Sequence, residues 1–151
     1  MDQVIIERPW FTIERVVPQQ HELIAIKEKA GTLIADDIAT PALAMSIRLT
    51  AEDAVPVATG LRCGQLIGVA MVVEVPDWGL LIQDFIIRPE FAHYGLARVL
   101  LEQLLQHVSA HCPKGTKLGI LAGTEYRRLC SEFGFEPEQC GAFGLDMVWR
   151  G

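Results

Sequence analysis

The chain has 151 residues and half of them are hydrophobic, which is enough to bury one substantial core. We therefore expect a single domain over residues 1–151. The formal net charge of −6 and a pI near 5.2 disfavour nucleic acid and anionic membrane surfaces as partners, and suit a neutral or cationic substrate.

The four cysteines indicate reduced thiols rather than a metal site or a disulfide framework, because they are widely spaced and form no C-x-x-C pair. The N-terminal stretch "MDQVIIERPW" lacks the pattern of a signal peptide, and no apolar run approaches the roughly 18 residues of a membrane span. We expect a soluble, cytoplasmic protein without a metal. A mean hydropathy of +0.27 is high for such a domain and leaves a homodimer open.

The first third of the chain contains one strand and one helix with clear patterns. "FTIERVVP" predicts a strand from Phe11 to Val17 that ends at Pro18. "QQHELIAIKEKAG" has helical spacing of its apolar residues and predicts a helix that stops at Gly31. "TLIADDIATPALAMSIRLT" is ambiguous, and one interpretation is a second short helix broken at Pro41.

Strand patterns dominate the middle of the chain. "VPVATGLRCGQLIGVAMVVEV", from Val55, predicts two strands joined in a hairpin by a tight turn at Cys63 and Gly64. A second turn, "PDWG", leads into a third strand, "LLIQDFIIRP".

A long amphipathic helix follows, since apolar residues recur at steps of three and four from Leu96 to Val108. "TKLGILAG" then predicts a strand, "TEYRRLCSEFGF" a helix ending at Gly134, and "FGLDMVWR" a last strand. The long helix must carry the chain between neighbouring parallel strands. The order predicts an α/β (α+β) fold with a mixed, mostly antiparallel sheet and one βαβ crossover, where two strands can part around a ligand.

The turn "AHYGLAR" before the long helix has two interpretations. A helix start leaves backbone N–H groups without partners and attracts anions, and Gly95 permits a positive φ or the close approach of a phosphate. An isolated glycine before a helix is also common in turns that bind no ligand. On this feature alone, a purely structural turn is favoured over a phosphate site.

The same stretch, "IIRPEFAHYGLARVLL", resembles the motif of the GNAT superfamily of acyl-CoA-dependent N-acyltransferases. The match lies at Ile87, Pro89, Gly95, Ala97 and the pair Leu100 and Leu101. "CGQLIGVAMVV" is similar to the family's second hairpin, and "RRLCSEFGF" to the helix and Gly-Phe turn after its fifth strand. The resemblance implies a GNAT-like sheet flanked by helices, with one splayed strand pair.

The resemblance also implies a site for acetyl-CoA as the acyl donor, without a metal. The pantetheine arm would contact the backbone of Phe85, Ile86 and Ile87. The pyrophosphate would be wrapped by the helix start, which comprises His93, Tyr94, Gly95, Leu96, Ala97 and Arg98.

Three positions depart from the family pattern. Ala92 stands where an Arg or Gln usually contacts phosphate, and His93 could partly replace it. Gly123 stands where many members have an Asn that touches the cofactor, and Cys130 where many have a Tyr that protonates the departing thiolate. These departures bear on catalysis more than on the fold.

Three residues are candidates for proton transfer. Asp84 interrupts the apolar strand "LLIQDFII" and could accept a proton from an amine, or it could simply face solvent. Cys130 could donate a proton as a thiol, although an ordinary buried cysteine is the favoured interpretation. Tyr126 lies four residues earlier on the same helix face, and could reach the groove or serve in packing.

We therefore expect an N-acetyltransferase that transfers an acetyl or other acyl group from acyl-CoA to a primary amine by direct attack. The acceptor is a small molecule or a protein amine. The alternative is a catalytically weak or inactive GNAT-fold module that binds CoA and acts in regulation or interaction. The missing Tyr at Cys130 and the missing basic residue at Ala92 favour this alternative, whereas Asp84 and the Gly-x-Ala turn favour the enzyme.

Overall fold

A computed structural model describes residues 4–30, 41–50, 62–120, 123–137 and 147–151. Within these ranges the chain forms eight strands and three α-helices, and a single 3₁₀ turn over Pro89–Phe91 precedes the longest helix. The strands are β1 (Val4–Glu7), β2 (Phe11–Glu14), β3 (Leu43–Leu49), β4 (Leu66–Val75), β5 (Gly79–Ile87), β6 (Lys117–Ile120), β7 (Glu136–Pro137) and β8 (Met147–Arg150). The helices are α1 (Gln20–Ala30), α2 (Leu96–His111) and α3 (Gly123–Glu132).

All eight strands belong to one sheet, in the order β1-β2-β3-β4-β5-β6-β8-β7. β5 and β6 pair in parallel, and every other pair in the sheet is antiparallel. α2 carries the chain from β5 to β6, as a parallel connection requires. The predicted mixed sheet with one βαβ crossover is therefore confirmed.

Both faces of the central strands are buried under helices. Alternate residues of β4 belong to two separate apolar clusters, with Ala70 and Val72 in one and Val69 and Met71 in the other. The larger cluster contains the inward side of α2, and the smaller one contains Leu23 and Ile26 of α1. α1 and α2 consequently cover opposite faces of the sheet.

The segment after Pro41 forms strand β3, so the interpretation as a helix is wrong for this part; residues 31–40 lie outside the described ranges. β3 lies between β2 and β4, and its residues from Ala44 to Ile47 are all buried. A strand buried on both faces shows no alternation of polar and apolar residues, which explains the ambiguity.

Of the predicted hairpin, the structure describes the turn and the second strand. The turn at Cys63 and Gly64 exists, but β3 and β5 occupy the two edges of β4. The part of the hairpin before Arg62 lies outside the described residues. β1 was not predicted, because its four residues are largely exposed at the sheet edge and carry little pattern.

Candidate active site

A groove opens where β5 and β6 separate. The two strands pair only from Leu80 to Ile82 on β5, opposite Leu118 to Ile120 on β6. From Gln83 onward the β5 edge that faces β6 has no strand partner among the described residues. A cavity of about 200 Å³ lies along this edge, lined by Phe85, Ile86, Ile87, Pro89, Ala92, Ala97, Glu125 and Tyr126.

A β-bulge at the start of the groove changes which face of the sheet the following β5 side chains point to. Met71 of β4 lies opposite Asp84, whereas the next residue, Val72, lies opposite Ile82, so Gln83 is the extra residue. Strict alternation would have put Ile82 and Asp84 on one face. Instead Ile82 packs in the core under α2, and Asp84 turns toward α1.

Asp84 forms a buried ion pair with Lys27 of α1. The Lys27 Nζ atom lies 3.3 Å from Asp84 Oδ1, and the two side chains are only 6% and 9% exposed. Charges removed from water to this extent are stable only when they are paired. The carboxylate does not face solvent, which removes one of the two interpretations of Asp84.

The N-terminus of α2 carries unpaired N–H groups, which a capping side chain or an acidic residue usually neutralises in other helices. Gly95 precedes the helix with φ 74° and ψ 14°, and neither a side-chain cap nor an acidic residue of the first turn is present among the described residues. The N–H groups of the first turn have no acceptor within the helix. A Cβ atom added to Gly95 would meet nothing within 4 Å, so the space before the helix is open.

The residues expected to wrap a pyrophosphate point in different directions. Ala97 lines the cavity, and His93 is exposed. Tyr94 packs its ring against Trp10, and Leu96 is buried in the core. Tyr94 and Leu96 can therefore offer only backbone groups to a ligand at this turn.

Arg98 is engaged with α3 instead of the space before α2. Its guanidinium donates to the carboxylate of Glu132 and lies 5.6 Å from the centre of the Phe133 ring. The guanidinium lowers the pKa of Glu132 by its hydrogen bond and its charge. The pair is exposed, so Arg98 can exchange this partner for another anion at small cost.

Tyr126 of α3 stands across the groove from β5. Its ring meets the Phe85 ring edge-on at 5.1 Å, and its hydroxyl accepts a hydrogen bond from the backbone N–H of Ile87. Burial, followed by the charge of Glu125, raises the pKa of the Tyr126 phenol to about 12. The phenol is therefore protonated at neutral pH and has a proton to donate in the groove.

Cys130 does not reach the groove. It is 1% exposed and belongs to the core under α2, where its carbonyl accepts hydrogen bonds from the N–H groups of Phe133 and Phe135. The interpretation as an ordinary buried cysteine therefore fits its position, and the expected role as a proton donor does not. Among the α3 residues whose side chains the structure describes, Glu125 and Tyr126 line the cavity.

Sequence reasoning missed Lys27, although a signal for it exists. Leu23 and Ile26 are buried, and position 27 is four residues after Leu23, so helical spacing puts Lys27 on the buried side of α1. A lysine on such a face needs a carboxylate partner. Asp84 was an acidic interruption of an apolar strand in the predicted sheet.

Neither a metal centre nor a membrane span is found within the described ranges. No cluster of three or more His, Cys, Asp and Glu residues there is arranged to hold a metal ion. No helix in this part of the chain has the length and apolar character to span a membrane.

Comparison with solved structures reveals the same fold in several bacterial proteins. A probable acetyltransferase of unknown function from methicillin-resistant Staphylococcus aureus superposes with a TM-score of 0.67 at 14% identity, covering 87% of this chain and 95% of its own. The ribosomal-protein-S18-alanine N-acetyltransferase from Escherichia coli gives 0.56 at 17% identity, with 93% of both chains covered. A GNAT family N-acetyltransferase from Escherichia coli, solved in complex with CoA, gives 0.61 at 15% identity, covering 96% and 83%.

At these identities the likeness shows the fold alone, and no curated protein has a significantly similar sequence. The family itself is shown by sequence, because the model of the Acetyltransferase (GNAT) family matches residues 21–135. This match spans most of the chain and includes the groove, the start of α2 and α3. The protein therefore belongs to the GNAT family of acetyltransferases.

Proposed function

We propose that this protein transfers an acetyl or other acyl group from acyl-CoA to a primary amine by direct attack. The observation that carries the proposal is the groove between β5 and β6, which joins the open N-terminus of α2 to the strand that carries Asp84. The family assignment supports acyl transfer in general. A relative of the same fold was solved in complex with CoA, which supports CoA as the carrier of the acyl group.

The donor would bind through backbone groups more than through charged side chains. The edge of β5 from Phe85 to Ile87, which has no strand partner among the described residues, offers backbone groups to the amides of a pantetheine arm. To bind there, the ligand would replace the Tyr126 hydroxyl at the Ile87 N–H. The diphosphate would lie before α2, where free N–H groups and the helix dipole attract an anion and Gly95 leaves room. His93 and Arg98 are basic residues of this turn in the sequence, and Ala92 adds no such group.

Acyl transfer from a thioester to an amine requires a neutral amine, a polarised carbonyl group and a proton for the leaving sulfur. In this proposal Asp84 accepts a proton from the acceptor's ammonium group, and the nitrogen lone pair attacks the carbonyl carbon of the thioester. A C–N bond forms and the C–S bond breaks, with its electron pair leaving on sulfur. The hydroxyl of Tyr126 then supplies the proton that the thiolate takes up.

The rival function is a CoA-binding module without catalysis. Ala92, Gly123 and Cys130 favour it, because each replaces a residue that the family commonly uses. Tyr126 weakens it, since a protonated phenol already lines the groove where a proton donor is needed.

The decisive experiment is calorimetric titration of the purified protein with acetyl-CoA and, separately, with free CoA. We expect binding of both, followed by CoA release when a panel of diamines, amino acids and peptide N-termini is added. Binding without turnover on any amine would favour the rival function. Failure to bind either ligand would contradict the proposed function.

A further inference from the structure

Lys27 is a buried primary amine that the proposed reaction leaves unused. It is 4% exposed as a residue, and its Nζ atom lies 3.3 Å from the Oδ1 atom of Asp84. Asp84 is the last β5 residue before the stretch that lines the groove. A lysine ammonium thus lies against the proposed base, which directly precedes Phe85, the first β5 residue that lines the cavity.

α1 is held firmly in the position that brings Lys27 there. Glu22, in its first turn, accepts hydrogen bonds of 2.6 and 3.0 Å from Arg48 of β3, and its Oε1 atom also accepts one of 3.1 Å from the Gln19 N–H. The apolar side of α1 packs on β3, β4 and β5 through the smaller core cluster. The position of Lys27 is therefore set by packing and not by a flexible loop.

The other charged groups on this face do not compete for Lys27. Glu22 is hydrogen-bonded to Arg48, and Glu14 lies 3.9 Å from the same guanidinium. Among the described residues, Asp84 is the carboxylate that pairs with Lys27. The lysine and the proposed base form a matched acid–base couple.

We propose that Lys27 is a self-acylation site of this protein, which takes an acyl group from the bound acyl-CoA thioester. The inference depends on the proposed function, because it uses the same donor and the same base. That function requires an acceptor nitrogen within reach of Asp84, and the Lys27 nitrogen already occupies such a position. A bound donor would meet this internal amine at high effective concentration.

The step balances without a further reagent. Of the three protons on the Lys27 ammonium group, one passes to Asp84, one replaces the proton that Tyr126 gives to the thiolate, and one stays on the amide nitrogen. A C–N bond forms between Nζ and the acyl carbon while the C–S bond breaks, and CoA leaves as the thiol. Asp84 then returns its proton to solvent.

The product differs from a catalytic intermediate in a way that can be measured. An amide does not pass its acyl group to a second amine, so the modification stops at one acyl group per chain. It also converts the ammonium into a neutral group and leaves Asp84 without its cation.

The test is mass spectrometry of the wild-type protein after incubation with acetyl-CoA, on the intact chain and on its peptides. The chain has four lysines, Lys27, Lys29, Lys114 and Lys117, and Lys114 is an exposed internal control for chemical acetylation. We expect one acetyl group on Lys27, formed at least about tenfold faster than on Lys114 because the donor is bound. The rate per chain is expected to be independent of protein concentration.

Two variants separate enzymatic from chemical modification. Lys27→Arg keeps a cation beside Asp84, but a guanidinium stays protonated and is not acylated, so this variant is expected to remain unmodified. Gly95→Ala, which crowds the donor site, is expected to lose the modification at Lys27 while Lys114 reacts as before. Equal rates at Lys27 in the wild type and in Gly95→Ala would overturn the inference.

Calorimetry on the same samples distinguishes the two proposals. Donor binding with Lys27 unmodified would overturn self-acylation and leave the proposed function intact. Absence of donor binding would overturn both. Modification at Lys27 without turnover on any external amine would support the inference and limit the proposed function to this one acceptor.

Discussion

The rings of Tyr126 and Phe85 meet edge-on across the groove, with 5.1 Å between their centres and 80° between their planes. This contact joins α3 to β5 at the place where β6 no longer pairs with β5. It keeps the phenol beside the strand edge along which a thioester would lie. Cys130, one turn later on α3, points into the core instead.

Replacement of Tyr126 by Phe keeps the ring contact and removes only the hydroxyl. If the phenol protonates the departing thiolate, kcat is expected to fall by about ten- to a thousandfold, because general acid catalysis is helpful for a thiolate but not essential. Stopped-flow or steady-state assays of CoA release measure this, and calorimetry should find donor affinity little changed. An unchanged kcat would remove Tyr126 from the mechanism.

The ionisation of Tyr126 can be followed without an acceptor. The protein has two tyrosines, and the pKa of Tyr126 is raised by burial to about 12. A raised pKa means that the folded protein holds this proton above pH 10, where the unfolded chain loses it, so this group's contribution to stability is lost as pH rises from about 10 toward 12. In an alkaline absorbance titration, Tyr126→Phe should abolish the phenolate transition at a pH of about 12.

Gly95 and Gly115 form a matched pair for testing the donor site. Both have positive φ, 74° and 87°, and a Cβ atom on either would meet nothing within 4 Å. Alanine at either position should cost about 1 kcal/mol in the free energy of unfolding, from the left-handed backbone alone. Only Gly95→Ala should weaken binding of acetyl-CoA in calorimetry, because only its methyl group enters the space before α2. Equal effects on binding would contradict the phosphate site.

The partner of Arg98 predicts that donor affinity can be increased. Glu132 neutralises the guanidinium of Arg98, which belongs to the first turn of α2. Glu132→Gln frees Arg98 for the diphosphate, and the dissociation constant of CoA is expected to fall about two- to fivefold, as for other exposed ion pairs. The gain should shrink at high salt. In an Arg98→Met background the same change should have no effect, and a gain there would show that Arg98 is not the group released.

The ion pair of Glu22 and Arg48 should anchor α1 in a pH-dependent way. The hydrogen bond from Arg48 lowers the pKa of Glu22. A lowered pKa means that this stability is present above the ordinary Glu pKa of about 4.5 and is lost as pH falls through the folded value. A double-mutant cycle with Glu22→Gln and Arg48→Met is expected to give a coupling of about 1–2 kcal/mol at pH 7. A coupling that does not weaken as the pH is lowered to the onset of acid unfolding would contradict this assignment.

For the buried ion pair of Lys27 and Asp84, we expect removal of one charge to destabilise the protein more than replacement of both. Lys27→Met leaves a buried carboxylate without its cation and should cost about 3–5 kcal/mol, whereas the exposed Lys114→Met should stay within about 0.5 kcal/mol. Adding Asp84→Leu to Lys27→Met should recover most of the loss, because an apolar pair replaces the buried charges. Urea denaturation measures the free energy of unfolding of the wild type, Lys27→Met, Lys114→Met and the double variant. A double variant less stable than Lys27→Met would contradict the account.

The sequence pattern predicted those elements that face the core on one side and solvent on the other. α2 faces the core on one side only, so its apolar spacing predicted it, and the motif around Gly95 was sufficient to indicate the family. β3 is enclosed on both faces and β1 lies at an edge, and neither environment leaves a periodic trace in four to seven residues.

The sequence by itself determined α1, the run of elements from β4 to α3, the crossover at α2 and the glycine that opens its N-terminus, because these depend on local spacing and backbone freedom. Only the tertiary structure decided which side chains meet. The bulge at Gln83 turns Asp84 toward Lys27, which is distant in the chain, and the packing of α3 turns Tyr126 into the groove and Cys130 into the core. Such pairings arise from strand register and helix rotation, which are set by the whole core and not by any single segment.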